Sequence, residues 1–203
     1  MLEIAAWVVI FLASVIIHEV CHGLVADLLG DPTAKQAGRL TLNPLKHIDP
    51  FWTVIFPGLL FLSTQGRFAI GMAKPVPVDF SRLRYPKRDM IYVAASGPLA
   101  NFVLALLMNV LWKFFPNPVW LYGIYFNLGI GLFNLIPIPP LDGSRILMGL
   151  MPLSLMRPYA QIERYGFLII LALYMTGILF SWIIPVMNML CRILDIPQLG
   201  ISY

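Results

Sequence analysis

Two histidines four residues apart, with a glutamate beside the first, make His18-Glu19-Val20-Cys21-His22 the stretch of this sequence best equipped for chemistry. On an α-helix, side chains at i and i+4 share a face, so both imidazoles can offer a ring nitrogen to one cation. Neutral imidazoles at that spacing suit Zn²⁺, and Glu19 then stands where it can take a proton from a metal-bound water. The pattern uses two of the three histidines in the chain. Its surroundings are apolar: across residues 5–29 the titratable side chains are His18, Glu19, Cys21, His22 and Asp27, in a run long enough to cross a bilayer. Ionisable groups in hydrocarbon are expensive and need partners there, which favours a metal centre over ordinary packed side chains.

A hydrolytic zinc site takes three protein ligands and keeps one position for water. With Glu19 assigned as base, few carboxylates remain. Glu3 and Asp195 lie near the termini, and Asp79, Asp89 and Glu163 fall in basic, solvated loops. Asp27 is about two and a half turns beyond His18 on the same helix. Asp31 and Asp49 adjoin prolines, where turn or cap roles are the default. Asp142 differs: it follows Pro137, Pro139 and Pro140 at the broken end of an apolar run and precedes Gly143, which frees the backbone. Broken helices at membrane depth line a site or cavity. The plain alternative is an Asp-Gly turn. Asp142 is the expected third ligand.

The elements that must position these groups follow from composition and breaks. At 203 residues, 59% hydrophobic and 12% charged, with mean hydropathy +0.81, the chain reads as one domain over residues 1–203 of an all-α polytopic membrane protein. Full spans are expected at 4–29, 90–112, 119–136 and 165–184, within a range of four to six transmembrane segments. Residues 51–63 are about 13 long and interrupted at Pro57-Gly58, which suggests a re-entrant segment. Residues 186–194 read as an interfacial helix or as the tail of the last span. Alternation at 38–42 and the prolines of 74–78 predict short extended strands at the membrane edge. The N-terminal run is too long, and too poor in basic residues ahead of it, for a cleaved signal.

The formal charge of +4 points to orientation rather than to nucleic acid. If 51–63 does not cross, twelve of the 14 Lys and Arg lie in loops on one side, with the motif-bearing end of the first span. That side is expected to be the cytoplasm. Cys21 and Cys191 lie in apolar stretches and are assigned to packing, with Cys21 as a fourth ligand the weaker alternative.

His18 through His22, taken with Asn134-Leu-Ile-Pro137-Ile-Pro139-Pro140-Leu-Asp142-Gly143, resembles the site-2 protease family of intramembrane zinc metalloproteases. Residues 38–50 and 73–78 resemble its compact members, which lack a PDZ domain. The resemblance spans about residues 14–167. It departs where the second motif ends in Gly-Ser rather than two glycines, and in having no span ahead of the motif helix. It implies one Zn²⁺ per chain held by His18, His22 and Asp142, with Glu19 as catalytic base. Asn134 matches a position that bonds the substrate backbone. Gly97-x-x-x-Asn101 is similar to a small-residue motif on the intervening span, making Asn101 a second substrate-binding candidate. The implied partner is a transmembrane protein or peptide cleaved within the bilayer of a prokaryotic cytoplasmic membrane, after unwinding and strand addition along the extended segments. A homo-oligomer is left open. The rivals are a metal transporter, disfavoured by the scarcity of His and acidic residues in the other spans, and an inactive homologue acting as a binding scaffold, disfavoured by the intact Glu19. His47 is expected at the interface, in a loop that substrate entry could use.

Overall fold

The first apolar run forms a single helix, α1 (Leu2–Leu28), of 27 residues and about 40 Å, in a computed structural model that describes residues 2–63 and 74–199. It stops where Gly30-Asp31-Pro32 predicts, with Gly30 at φ +113°. Asp31 is fully buried there. Its carboxylate accepts the Thr33 N–H at 3.0 Å and the Asp79 N–H at 2.6 Å, tying the end of α1 to the loop that leads into α4.

Short helices follow: α2 (Thr33–Gln36) and α3 (Phe56–Ser63), the latter entered through a wide helical turn at Pro50–Ile55. The irregularity therefore precedes Pro57-Gly58 instead of falling on them. Next come α4 (Pro86–Phe114), α5 (Pro118–Asn134), α6 (Asp142–Leu150), α7 (Leu153–Ala160), α8 (Glu163–Met175) and α9 (Ile178–Ile193). α4 opens with a proline in its first turn and with the Asp89 carboxylate accepting the Tyr85 N–H at 3.0 Å. At 29 residues it exceeds the expected 90–112.

Among the described residues, α1 and α4 are long and apolar enough to cross a membrane, and the pair α8–α9, bent by 73°, makes a third span if counted as one. α5 has 17 residues and reaches about 25 Å. The break expected after residue 184 lies instead at Gly177, in the left-handed region at φ +76°, while Pro185 sits inside α9. A left-handed glycine ends a helix outright. Proline inside an apolar helix is tolerated where neighbouring groups take up the freed carbonyl.

No strand forms among the described residues. Residues 38–42 run as a turn and bends, because side chains take the backbone bonds a ladder would have made. The Arg39 guanidinium donates to Lys74 O at 2.7 Å, and His47 Nε2 donates to Thr41 O at 2.8 Å.

α4 is the central helix, packed against α1, α5 and α6. Ala105, Ile124, Leu128, Met187 and Cys191 form a core at one end, and Ala26, Leu83, Met90, Val93 and Met148 form another. Along α1 and α4 the two histidines lie between these clusters.

Candidate metal centre

The helix places His18 and His22 on one face, as the spacing predicts, with their Nε2 atoms 3.1 Å apart. Asp142, the first residue of α6, brings its Oδ2 to 3.2 Å from His18 Nε2 and 3.3 Å from His22 Nε2. Three ligand atoms from α1 and α6 thus converge on one point.

Hydrogen bonding behind the rings decides their protonation. His18 Nδ1 faces Asn101 Oδ1 at 2.6 Å, and His22 Nδ1 faces the Val93 carbonyl at 2.7 Å. Carbonyl oxygens only accept, so each Nδ1 carries the ring proton and each neutral ring turns an Nε2 lone pair inward. Asp142 Oδ2 is buried and has no hydrogen-bond partner. Two ring nitrogens and a carboxylate oxygen facing one another form a group that could hold a cation. Metal–ligand bonds of about 2.0–2.1 Å at tetrahedral angles would hold donor atoms about 3.3 Å apart, close to the spacing observed. Two imidazoles and one carboxylate are a donor set that zinc accepts while keeping a water position.

α4 can approach the rings only because residue 97 is glycine. A Cβ there would stand 2.4 Å from His22 Nε2 and 2.7 Å from His18 Cε1. Asp142 is delivered by the turn between α5 and α6, whose prolines force the chain back on itself. Gly143 packs so tightly on that turn that a Cβ would meet the Leu135 carbonyl oxygen at 2.1 Å. Its purpose is close approach rather than a free φ. Arg145 of α6 donates to both carboxylate oxygens of Glu163 at 2.9 Å, and the Tyr159 hydroxyl donates to Pro137 O at 2.7 Å, which fixes α6 and the turn from outside.

Glu19 is half-buried beside the rings, and its Oε2 accepts the Val76 N–H at 2.8 Å. The segment bearing that amide is held by Arg39 on the Lys74 carbonyl and by the Lys74 N–H donating to His47 O at 2.9 Å. His47 is buried, 2% exposed, and braces this loop through its Nε2 donating to Thr41 O. Residue 73, the first of the 73–78 segment that carries part of the resemblance, lies outside the described residues.

The two asparagines separate. Asn134 ends α5, half-buried, with Nδ2 donating to Ile130 O at 3.1 Å. Asn101, expected to meet substrate, is instead fully buried behind His18, and its amide is spent on His18, Ser14 and Asn127. Asn101 thus reaches the site through the ligand. Cys21 is not grouped with the converging ligand atoms. Sequence reasoning passed over Ser14, Val76, Val93 and Asn127. The one available signal was two polar residues, Ser14 and Asn127, in otherwise apolar spans.

The model of peptidase family M50 matches residues 111–177, which contain α5, the proline turn and Asp142. Over 195 residues the chain is 35% identical to YwhC of Bacillus subtilis (strain 168), a protein that bears the name of a zinc metalloprotease, covering 89% of this chain and 85% of that one. Rip2 of Mycolicibacterium smegmatis, likewise named a zinc metalloprotease, is 33% identical over 188 residues, covering 89% of this chain and 69% of its own. Rip2 of Mycobacterium tuberculosis is 27% identical over 186 residues, covering 88% and 68%. No solved structure matches the chain.

Proposed function

The chain belongs to peptidase family M50, the site-2 protease family of intramembrane zinc metalloproteases, and from that premise we propose that His18, His22 and Asp142 hold its zinc ion while Glu19 acts as catalytic base. One observation carries the assignment: three potential ligand atoms lie 3.1, 3.2 and 3.3 Å apart, with Asp142 Oδ2 buried and without a hydrogen-bond partner. A bound zinc supplies Lewis acidity and a water that loses its proton near neutral pH.

The chain's own residues do the rest. Glu19, one position from His18, takes the water proton and passes it to the leaving amine. The Val76 N–H keeps one oxygen of the Glu19 carboxylate occupied, so the carboxylate meets the water with its other oxygen. Asn134, the last residue of α5, is assigned to bond the substrate backbone, a role supported by its match to the family motif. Residues 74–78 pass beside Glu19 and offer the surface along which an unwound substrate segment lies. Substrates are transmembrane segments of other membrane proteins, which must lose helical hydrogen bonds before a carbonyl can reach the site.

Ion pairs at the two ends of the bundle support a finer reading of the topology. Glu163, at the start of α8, pairs with Arg145 on the metal-centre side, whereas Asp195, just past α9, pairs with Lys113 at the far end of α4 at 2.5 Å. The bent pair α8–α9 therefore makes one crossing. With α1, α4 and α5 it makes the four-span domain we propose, with the 51–63 segment re-entrant and the metal centre toward the cytoplasm.

The test is purified protein with a single-span substrate. Glu19→Gln is expected to lose about 10²- to 10⁴-fold in cleavage rate while keeping its zinc. His18→Ala and Asp142→Ala are expected to lose the zinc itself. Cleavage undiminished in Glu19→Gln, or zinc retained in full by His18→Ala, would overturn the assignment.

A further inference from the structure

The hydrogen bonds behind His18 do not stop at Asn101. Ser14, Asn101 and Asn127, from α1, α4 and α5 respectively, are all 0% exposed. The Ser14 hydroxyl donates to Ile10 O at 2.7 Å. Asn127 Nδ2 donates to Ser14 Oγ and to Gly123 O, both at 2.9 Å. Asn101 Nδ2 donates to Asn127 Oδ1 at 2.9 Å and to Ser14 O at 3.4 Å. Asn101 Oδ1 then faces His18 Nδ1.

Each step fixes the next. Both Asn127 N–H groups are used, so its oxygen can only accept. Asn101 must therefore turn its amide nitrogen to Asn127 and its oxygen to His18. His18 must then carry its proton on Nδ1, and its bare Nε2 faces His22 and Asp142. Buried amides are costly unless every group is paired, and apolar side chains would pack three apolar helices as well. The order runs in one direction, toward a metal ligand. His22 has no need of such a chain, since the Val93 backbone carbonyl sets its tautomer directly.

We propose that Asn101 and Asn127 are positioning residues, forming with Ser14 a buried three-helix relay that sets the tautomer and ring orientation of His18 for the zinc ion. The proposal rests on His18 being a ligand. Groups that orient a ligating histidine change metal affinity by about 10- to 100-fold when removed.

The test uses the full chain in detergent, with zinc affinity read by competition against a chromophoric chelator. Asn101→Leu is expected to weaken zinc about 10- to 100-fold, and Asn127→Leu to weaken it by a smaller factor. Asn101→Asp is expected to recover only part of the affinity, because a carboxylate still accepts the Nδ1 proton but sets its other oxygen against the Asn127 and Ser14 oxygens. A purely structural role for the amide predicts the reverse, since Asp would bury a charge where Leu would not. A second measurement needs no variant: ¹⁵N spectra of the zinc-loaded wild-type protein should show two rings protonated at Nδ1 (His18 and His22) and one at Nε2 (His47). Unchanged zinc affinity in Asn101→Leu, an Asp variant no better than Leu, or His18 protonated at Nε2 would each overturn the relay. If His18→Ala loses zinc while Asn101→Leu keeps it, the relay fails alone. If His18→Ala keeps zinc, the ligand reading fails first.

Discussion

The proposed metal centre depends on one missing carbon as much as on the residues assigned to hold the ion. At Gly97 a Cβ would overlap His22 Nε2 and crowd His18 Cε1, and the rings cannot swing away without breaking the Nδ1 bonds to Asn101 and Val93. Overpacking by one methyl costs about 1–3 kcal/mol, which at roughly 1.4 kcal/mol per decade becomes a loss of about 5- to 100-fold in zinc affinity. Gly97→Ala should show that loss by chelator competition. Gly129→Ala makes the control: its new methyl would meet only Met187 Cε, at an ordinary 3.6 Å, and zinc binding should not change. The same reasoning separates Gly97 from the small residues around it. Its role is room for the imidazoles, whereas Ser96 donates its hydroxyl to Val93 O at 2.6 Å and shares that acceptor with His22.

Between the elements, the critical joint is the α5–α6 turn, where Gly143 rests on the carbonyls of residues 135 and 136. Backbone cannot give way as a flexible side chain can, so Gly143→Ala should push α6 outward and carry Asp142 off the histidines. The expected outcome is a lowered melting temperature together with lost zinc, read by thermal unfolding and metal analysis. Gly97→Ala, by contrast, should lose zinc with a smaller change in melting. Much of this joint was legible in the sequence, because its signals are local: i,i+4 spacing for the rings, three prolines for the break and an acidic residue at the helix start. The partners of Glu19 and His18 were not legible. The Val76 amide and the Asn127 side chain meet them across 57 residues and along a chain of bonds through three helices, and no local pattern encodes such pairings. The strand expected at 38–42 failed for a related reason. Alternation marks a surface that needs partners, and here Arg39 and His47 side chains supplied bonds in place of a neighbouring strand. Pro185 is the louder sequence signal for a break and leaves 186–194 open as a separate helix or a tail, yet Gly177 in the left-handed region stands where the chain turns by 73°.

At the scale of the whole molecule, the polar groups divide the bundle into two ends. Asp142, the Arg145–Glu163 pair and the loops carrying Lys35, Arg39 and Lys74 share the end where the metal centre opens. Lys113, Asp195 and the Tyr125 hydroxyl on Pro197 O mark the other. Twelve of the 14 Lys and Arg belong to the first end if residues 64–89 lie there, and such an excess holds loops on the cytoplasmic face. Those pairings favour an odd number of crossings between Glu163 and Asp195, in keeping with the proposal that the bent α8–α9 pair traverses the bilayer despite its kink. Single cysteines at Gln36, Asn117, Leu153 and Gln198, each exposed, can test this in a chain with Cys21 and Cys191 replaced by alanine. An impermeant thiol reagent applied to intact cells should label positions 117 and 198, and should reach 36 and 153 only in inverted vesicles. Labelling of 198 from the same side as 36 would make α8–α9 a hairpin that enters and leaves by one face. The Lys113–Asp195 contact would then have no place in the membrane-embedded protein, and the four-span arrangement would fall with it.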